Sequence, residues 1–208
     1  MSGGFALVPL DCPACGAPLA AEADDVVFYC TACASGFRHE PEASRALAPV
    51  EVAFVLAPTT PAAGWLPFWL LPARLEIVRR DAAGGLLSGL LGLLGGGGGE
   101  EGEAPADPAF LIPAFELPIA RLVDVAVRYT VERPRLGERL GERLTGGVHS
   151  PEDAAKLAHY ALITVEAEKR DMLRDLDYRL ELGTPRLLGV PWVAAEGGRR
   201  DALFGIPL

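Results

Sequence analysis

The chain has 208 residues, and its 28 Asp and Glu outweigh 19 Lys and Arg to give a formal net charge of −9. Half of the residues are hydrophobic and 7% are aromatic, a globular composition that excludes a wholly disordered or collagen-like chain. The acidic balance argues against a surface built to neutralise nucleic-acid phosphates, and the high Gly and Pro content calls for many turns.

The chain opens with MSGGFALVPLDCPAC, which has neither the basic start nor the apolar run of an export signal. The expected location is therefore cytoplasmic, where paired cysteines serve as metal ligands more often than as disulfides. The only four cysteines lie at Cys12, Cys15, Cys30 and Cys33, two CxxC pairs separated by fourteen residues. Two intervening residues let both thiolates of a pair point at one ion from a tight turn. Two such turns joined by a short hairpin supply the four ligands of a closed tetrahedral site. Pro13 and Gly16 suit the first turn, Pro by fixing φ and Gly by permitting a left-handed residue. In the second turn Ala34 stands where that glycine would be. A redox dithiol would need a CxxC at a helix N-terminus, and no helical pattern follows Cys15. The expected cofactor is Zn2+, with iron the less favoured ion and two disulfides a weaker alternative. Because all four ligands come from the protein, the ion's expected contribution is to folding rather than to catalysis.

Residues 1–40 thus form one unit, 41–49 a connector, and 50–208 a second domain. Within that domain, 50–58 and 64–81 read as strands. Alternation at the end of the second would place Leu75, Ile77 and Arg79 on one face and Glu76 and Val78 on the other. Residues 82–108 are low complexity, with nine glycines among positions 84–99, and are expected to be a disordered insertion. Its leucines, from Leu86 to Leu94, are too few to span a bilayer, which takes roughly 20 apolar residues. Residues 109–117 read as a strand, and 118–130 as a helix begun by Pro118. The repeat RLGERLGERL (135–144) would stack Leu136, Leu140 and Leu144 on a short helix.

The longest apolar stripe starts at Ser150, an N-cap followed by Pro151, Glu152 and Asp153, and runs to Leu180 before Gly183 and Pro185. It predicts one long helix with i,i+4 pairs Glu152–Lys156, Glu166–Arg170 and Asp175–Arg179. The last residues place two apolar runs around EGGRRD, a hairpin. Three segments, WLPFWLL, FLIPAFE and LGVPWVA, each set a proline just before an aromatic residue. Such prolines belong on edges or bulges of a sheet. Phe68, Trp69, Phe115 and Trp192 are expected in the core rather than on a binding surface.

The motif CPACGAPL…YCTACASGF resembles the zinc ribbon of many transcription and translation proteins. LPFWLL, IPAFEL, the helix from Ser150 and PRLLGVPW are similar to a loosely defined group of uncharacterised bacterial zinc-ribbon proteins. The resemblance implies Cys12, Cys15, Cys30 and Cys33 as metal ligands and carries no catalytic residue. The expected fold is α+β: an N-terminal zinc ribbon, then a mixed α/β domain with an antiparallel sheet and a long helix in its C-terminal half.

Three histidines, His39, His149 and His159, stand apart from any triad, HExxH or phosphate-loop motif, so no catalytic site is expected. Direct nucleic-acid binding is disfavoured because residues 1–45 carry six acidic residues against Arg38 and Arg45. What remains is a zinc-binding protein-interaction or adaptor module, the alternative being a nucleic-acid-associated zinc-ribbon protein of transcription. The partner would be a protein whose identity the sequence does not state.

Overall fold

A computed structural model of the protein describes residues 10–40, 47–56, 61–83, 109–137, 143–169 and 172–208. The Gly-rich insertion, apart from its first two residues, and most of the connector lie outside the described residues.

The structure is built on two sheets. The small one has the order β1-β2-β3, from β1 (Val27–Tyr29), β2 (Gly36–His39) and β3 (Leu47–Val50), all antiparallel. The large one runs β6-β5-β9-β4-β7, from β4 (Val52–Val55), β5 (Gly64–Ala83), β6 (Ala109–Pro113), β7 (Leu136–Gly137) and β9 (Arg186–Ala195). β10 (Gly198–Asp201) pairs with β9, and β8 (Met172–Leu182) pairs with β5. Because β4 and β9 run parallel, the large sheet is mixed. The helices are α1 (Ile119–Glu132) and α2 (Pro151–Ala167), and they are the two among the described residues.

The expectation of an α+β fold with a long C-terminal-half helix is therefore corrected: the described structure is mostly β. The Ser150 cap does form, with Asp153 N donating to Ser150 Oγ at 3.2 Å and Ser150 N donating to Asp153 Oδ2 at 3.4 Å. The helix nevertheless ends at Ala167, and Met172–Leu182 is strand β8. Leu176, Tyr178, Leu180 and Leu182 alternate with Asp177, Arg179 and Glu181, a period-2 pattern that the second half of β5 can pair with. Ion pairs shift accordingly. Asp175 meets Arg79 and Arg179 meets Glu76, both across the ribbon, whereas Glu152 meets Arg38 and Lys156 meets Asp153.

β5 spans 20 residues, an extended length of about 65 Å at roughly 3.3 Å per residue. Its first half sits between β9 and β6 in the large sheet, and its second half forms the ribbon with β8. A bulge between Ile77 and Arg79 reverses the expected facing. Arg80 joins Leu75 and Ile77 on the side of α2, and Arg79 turns to the opposite face.

The short helix expected over 135–144 is corrected at its start, residues 138–142 lying outside the described residues. Leu136 and Gly137 pair with Val55 and Phe54 as a strand, and a Cβ on Gly137 would lie 2.9 Å from the Leu56 Cα. β6 ends at Pro113, short of the expected 117, and the expected helix forms as α1 with Pro118 as its N-cap rather than its first residue. The terminal hairpin forms, with Gly197 and Gly198 at positive φ.

Two of the three prolines sit where a neighbouring strand has just ended, and the third, Pro113, is the last residue of β6, paired with Phe68. Pro67 lies one step beyond the last β5–β6 pair, with its carbonyl turned to Ala114 N at 2.9 Å. Pro191 lies one step beyond the last β9–β10 pair, and its carbonyl accepts from Ala202 N at 2.9 Å. In a strand the N–H and C=O of one residue face the same side, so neither missing N–H costs a ladder bond. Phe68, Trp69 and Phe115 are buried, while Trp192 is half-buried under the Arg199 guanidinium.

The main core fills the space between the large sheet and the helices, around Phe54, Trp65, Phe68, Trp69, Ile112 and Tyr129. Strand β1 serves two cores at once. Val27 and Tyr29 belong to the main core, and Phe28, on the other face, belongs to a smaller one with Cys12, Leu19, Cys30, Phe37 and Leu47. This alternation fastens the cysteine unit to the body.

Candidate metal centre

Each CxxC pair sits in a tight turn held by its own backbone. In the first, Cys12 N donates to Ala17 O at 2.8 Å and Gly16 N donates to Cys12 O at 2.9 Å, with Gly16 at φ 76°. In the second, Cys30 N donates to Ser35 O at 2.9 Å, and Ala34 takes φ 56°. The missing glycine thus leaves the second turn with the same left-handed residue, at the steric cost an L side chain carries there. The hairpin of β1 and β2 brings the second turn against the first, and the Asp11–Pro18 bridge closes the first turn's base.

The four Sγ atoms all lie within 4.8 Å of one another. Cys12 Sγ is 3.6 Å from Cys33 Sγ, and Cys15 Sγ is 3.6 Å from Cys30 Sγ. Four sulfurs bonded at about 2.3 Å to a central Zn2+ would be separated by about 3.8 Å along each tetrahedral edge. The observed separations fit that spacing and are far beyond the ~2.05 Å of an S–S bond. An all-sulfur donor set selects soft or borderline ions, zinc and iron among them. The residues present therefore fit a metal ion, with Cys12, Cys15, Cys30 and Cys33 as the group that could hold it.

The site is open on one side. Cys12 and Cys30 are 3% and 1% exposed, whereas Cys33 is half-buried and Cys15 is exposed. The sulfurs also differ in proton affinity. The Ser35 hydroxyl, 3.4 Å from Cys33 Sγ, leads in lowering the Cys33 thiol to about 6, and the neighbouring thiols add to it. The Cys15 thiol is pushed up to about 12; a backbone hydrogen bond from Ala17 opposes the rise, and partial desolvation and hydrogen bonds with the other three thiols overcome it.

The histidines do not join the cluster. His39 is exposed at the end of β2. His149 accepts a bond on its backbone oxygen from Trp69 Nε1 at 2.8 Å, and burial lowers its pKa. His159 Nδ1 lies 2.9 Å from the Tyr178 hydroxyl on the ribbon.

Two buried polar centres escaped the sequence reading. Asp201, 1% exposed, accepts from Tyr129 Oη at 2.8 Å and from the backbone N–H groups of Leu203, Phe204 and Ile206. Glu166, 6% exposed, accepts from Arg80 Nε at 2.9 Å and from Lys169 Nζ at 2.6 Å. The one available signal for Asp201 was an Asp opening the turn DALFG; Glu166 reads as an exposed helix residue paired with Arg170, and its burial is not legible because Arg80 lies 86 positions away.

No helix among the described residues is long and apolar enough to cross a membrane. Compared with protein-family models, with curated proteins and with solved structures, the chain matches none. The likeness to zinc ribbons accordingly rests on the clustered cysteines alone.

Proposed function

We propose that Cys12, Cys15, Cys30 and Cys33 hold one Zn2+ as a structural ion, and that the protein is a cytoplasmic protein-interaction or adaptor module organised around it. The observation that carries this reading is the convergence of four sulfurs from two turns at tetrahedral spacing. A site with four protein ligands has no open position for substrate or water, so the ion's role is to join the two turns. It would do so where apolar area alone is scarce: the small core has six buried residues, two of them the cysteines Cys12 and Cys30.

The interaction reading is supported by the acidic net charge and by apolar side chains presented to solvent on the ribbon and on α2. Ile77, Val78 and Met172 stand on the ribbon, Tyr160 and Ile163 on α2. Exposed apolar groups of this size on neighbouring elements are a common feature of protein-binding surfaces. The partner's identity is left to experiment.

Elemental analysis of reduced, full-length protein tests the metal, with one zinc per chain as the expected result. Mass spectrometry of proteins that co-purify with the chain, beside a low-salt gel shift with DNA and RNA, tests the class of partner. A reproducible protein partner with no gel shift is expected. Tight nucleic-acid binding that weakens with salt would overturn the adaptor reading.

A further inference from the structure

The four sulfurs differ in access, and the two sulfur–sulfur contacts at 3.6 Å both cross from one turn to the other. Exposed Cys15 contacts buried Cys30, and half-buried Cys33 contacts buried Cys12. Each contact therefore couples a sulfur that solvent reaches with one that it does not. A bridge across the turns also ties together the same two pieces of chain that a shared ion would tie. A bridge within either CxxC would not.

From this we propose that the site is a redox-sensitive link: hydrogen peroxide converts the metal-held junction into a disulfide-held one, with Cys15–Cys30 formed first and Cys12–Cys33 second, so that the ion leaves while the cysteine unit stays docked on the body. The proposal rests on the metal reading above. With the ion bound all four sulfurs are thiolates, so access decides which reacts first: exposed Cys15 attacks the peroxide O–O bond, becoming a sulfenic acid, and the leaving oxygen departs as water after taking a proton from solvent. The Cys30 thiolate then attacks the Cys15 sulfur, the S–O bond breaks, and a second proton carries that oxygen away as water. Two thiolates lose two electrons, and one peroxide yields two water molecules. A second equivalent does the same at Cys33 and Cys12. An ion reduced from four thiolates to two loses most of its hold and is released.

Docking survives because β1 is held independently of the sulfurs. Val27 N donates to Gly147 O at 3.0 Å, Gly147 N donates to Val27 O at 3.1 Å, and the Tyr29 and Phe54 rings pack edge to face at 6.0 Å between centroids. The backbone bonds lie along the edge of β1, and the ring contact lies on its face away from the cysteines.

The test uses the full chain, purified reduced and zinc-loaded, and titrated with hydrogen peroxide. Released zinc is read with a chromogenic chelator, bridges by non-reducing peptide mapping, and docking by protease resistance of residues 10–40. The expected result is one zinc released, a Cys15–Cys30 peptide that precedes a Cys12–Cys33 peptide, unchanged protease resistance, and full reversal by dithiothreitol with added zinc. A Cys12–Cys15 or Cys30–Cys33 peptide as the main product would overturn the crossed pairing. Digestion of residues 10–40 as zinc leaves, or sulfinic acid at Cys15 without a bridge, would overturn the retained junction. A reduced chain that takes up no zinc at all would instead sink the metal reading, and the peptide map of that same chain would still decide the pairing.

Discussion

Val27, in the cysteine unit, exchanges two backbone hydrogen bonds with Gly147 of the body, in an isolated antiparallel bridge. Gly147 has no room for a side chain there: an added Cβ would lie 2.8 Å from the Ala114 carbonyl oxygen and 3.2 Å from Pro67 Cγ. We expect Gly147→Ala to lower stability by about 1–3 kcal/mol through forced displacement of this seam. Denaturant unfolding measures the loss, and zinc content should stay at one per chain because no cysteine touches the bridge.

Cys12→Ser replaces a buried thiolate with a hydroxyl, a poor zinc ligand. Zinc content should fall below one per chain, and proteases should cut residues 10–40 first. Because Val27 and Tyr29 belong to the main core, the melting temperature of the whole chain should fall as well. An unchanged melting temperature would show that the two cores are not coupled through β1.

Ala34 holds a left-handed backbone conformation at φ 56°, which costs an L residue roughly 1–2 kcal/mol. Ala34→Gly removes that strain and adds some unfolded-state entropy, for a net gain of about 0.5–1 kcal/mol. A rise in the denaturation midpoint of zinc-loaded protein is the readout.

Tyr129→Phe removes one of the four hydrogen bonds to Asp201, and three backbone donors still hold that carboxylate. Its cost should be about 1–2 kcal/mol. Asp201→Ala leaves all four donors without their acceptor and should cost more than 3 kcal/mol. A smaller loss for Asp201→Ala than for Tyr129→Phe would contradict this account of the C-terminal turn.

Burial raises the Glu166 pKa, but hydrogen bonds and charge from Lys169 and Arg80 outweigh it, so the folded value lies below the ordinary 4.5. A depressed carboxylate stabilises the fold above its unfolded pKa, and the benefit is lost as pH falls through the folded one. Stability should therefore drop as pH goes from about 5 to about 3. Glu166→Gln should start less stable at neutral pH and show a shallower acid slope, as urea unfolding at several pH values would reveal.

The features that the sequence determined alone are those whose causes are local. Two CxxC turns lie within 22 residues of one another, so their spacing already fixes which four sulfurs can meet. The Ser150 cap and the Glu196–Gly197 turn likewise depend on residues a few positions apart. Residues 172–182 carried two patterns at once, because Leu173, Leu176 and Leu180 suit a helical stripe while Leu176, Tyr178, Leu180 and Leu182 suit a strand. Only the tertiary structure chose between them. The free edge of β5 offers backbone donors and acceptors from Ala73 to Ala83, and β8 pairs with them residue by residue. The same pairing placed the bulge near Val78, turned Arg80 toward Glu166, and sent Asp175 and Arg179 to partners across the ribbon. A hydrogen-bonding edge almost 100 residues away leaves no trace in a local period, so the choice between helix and strand could be made only once the chain had folded.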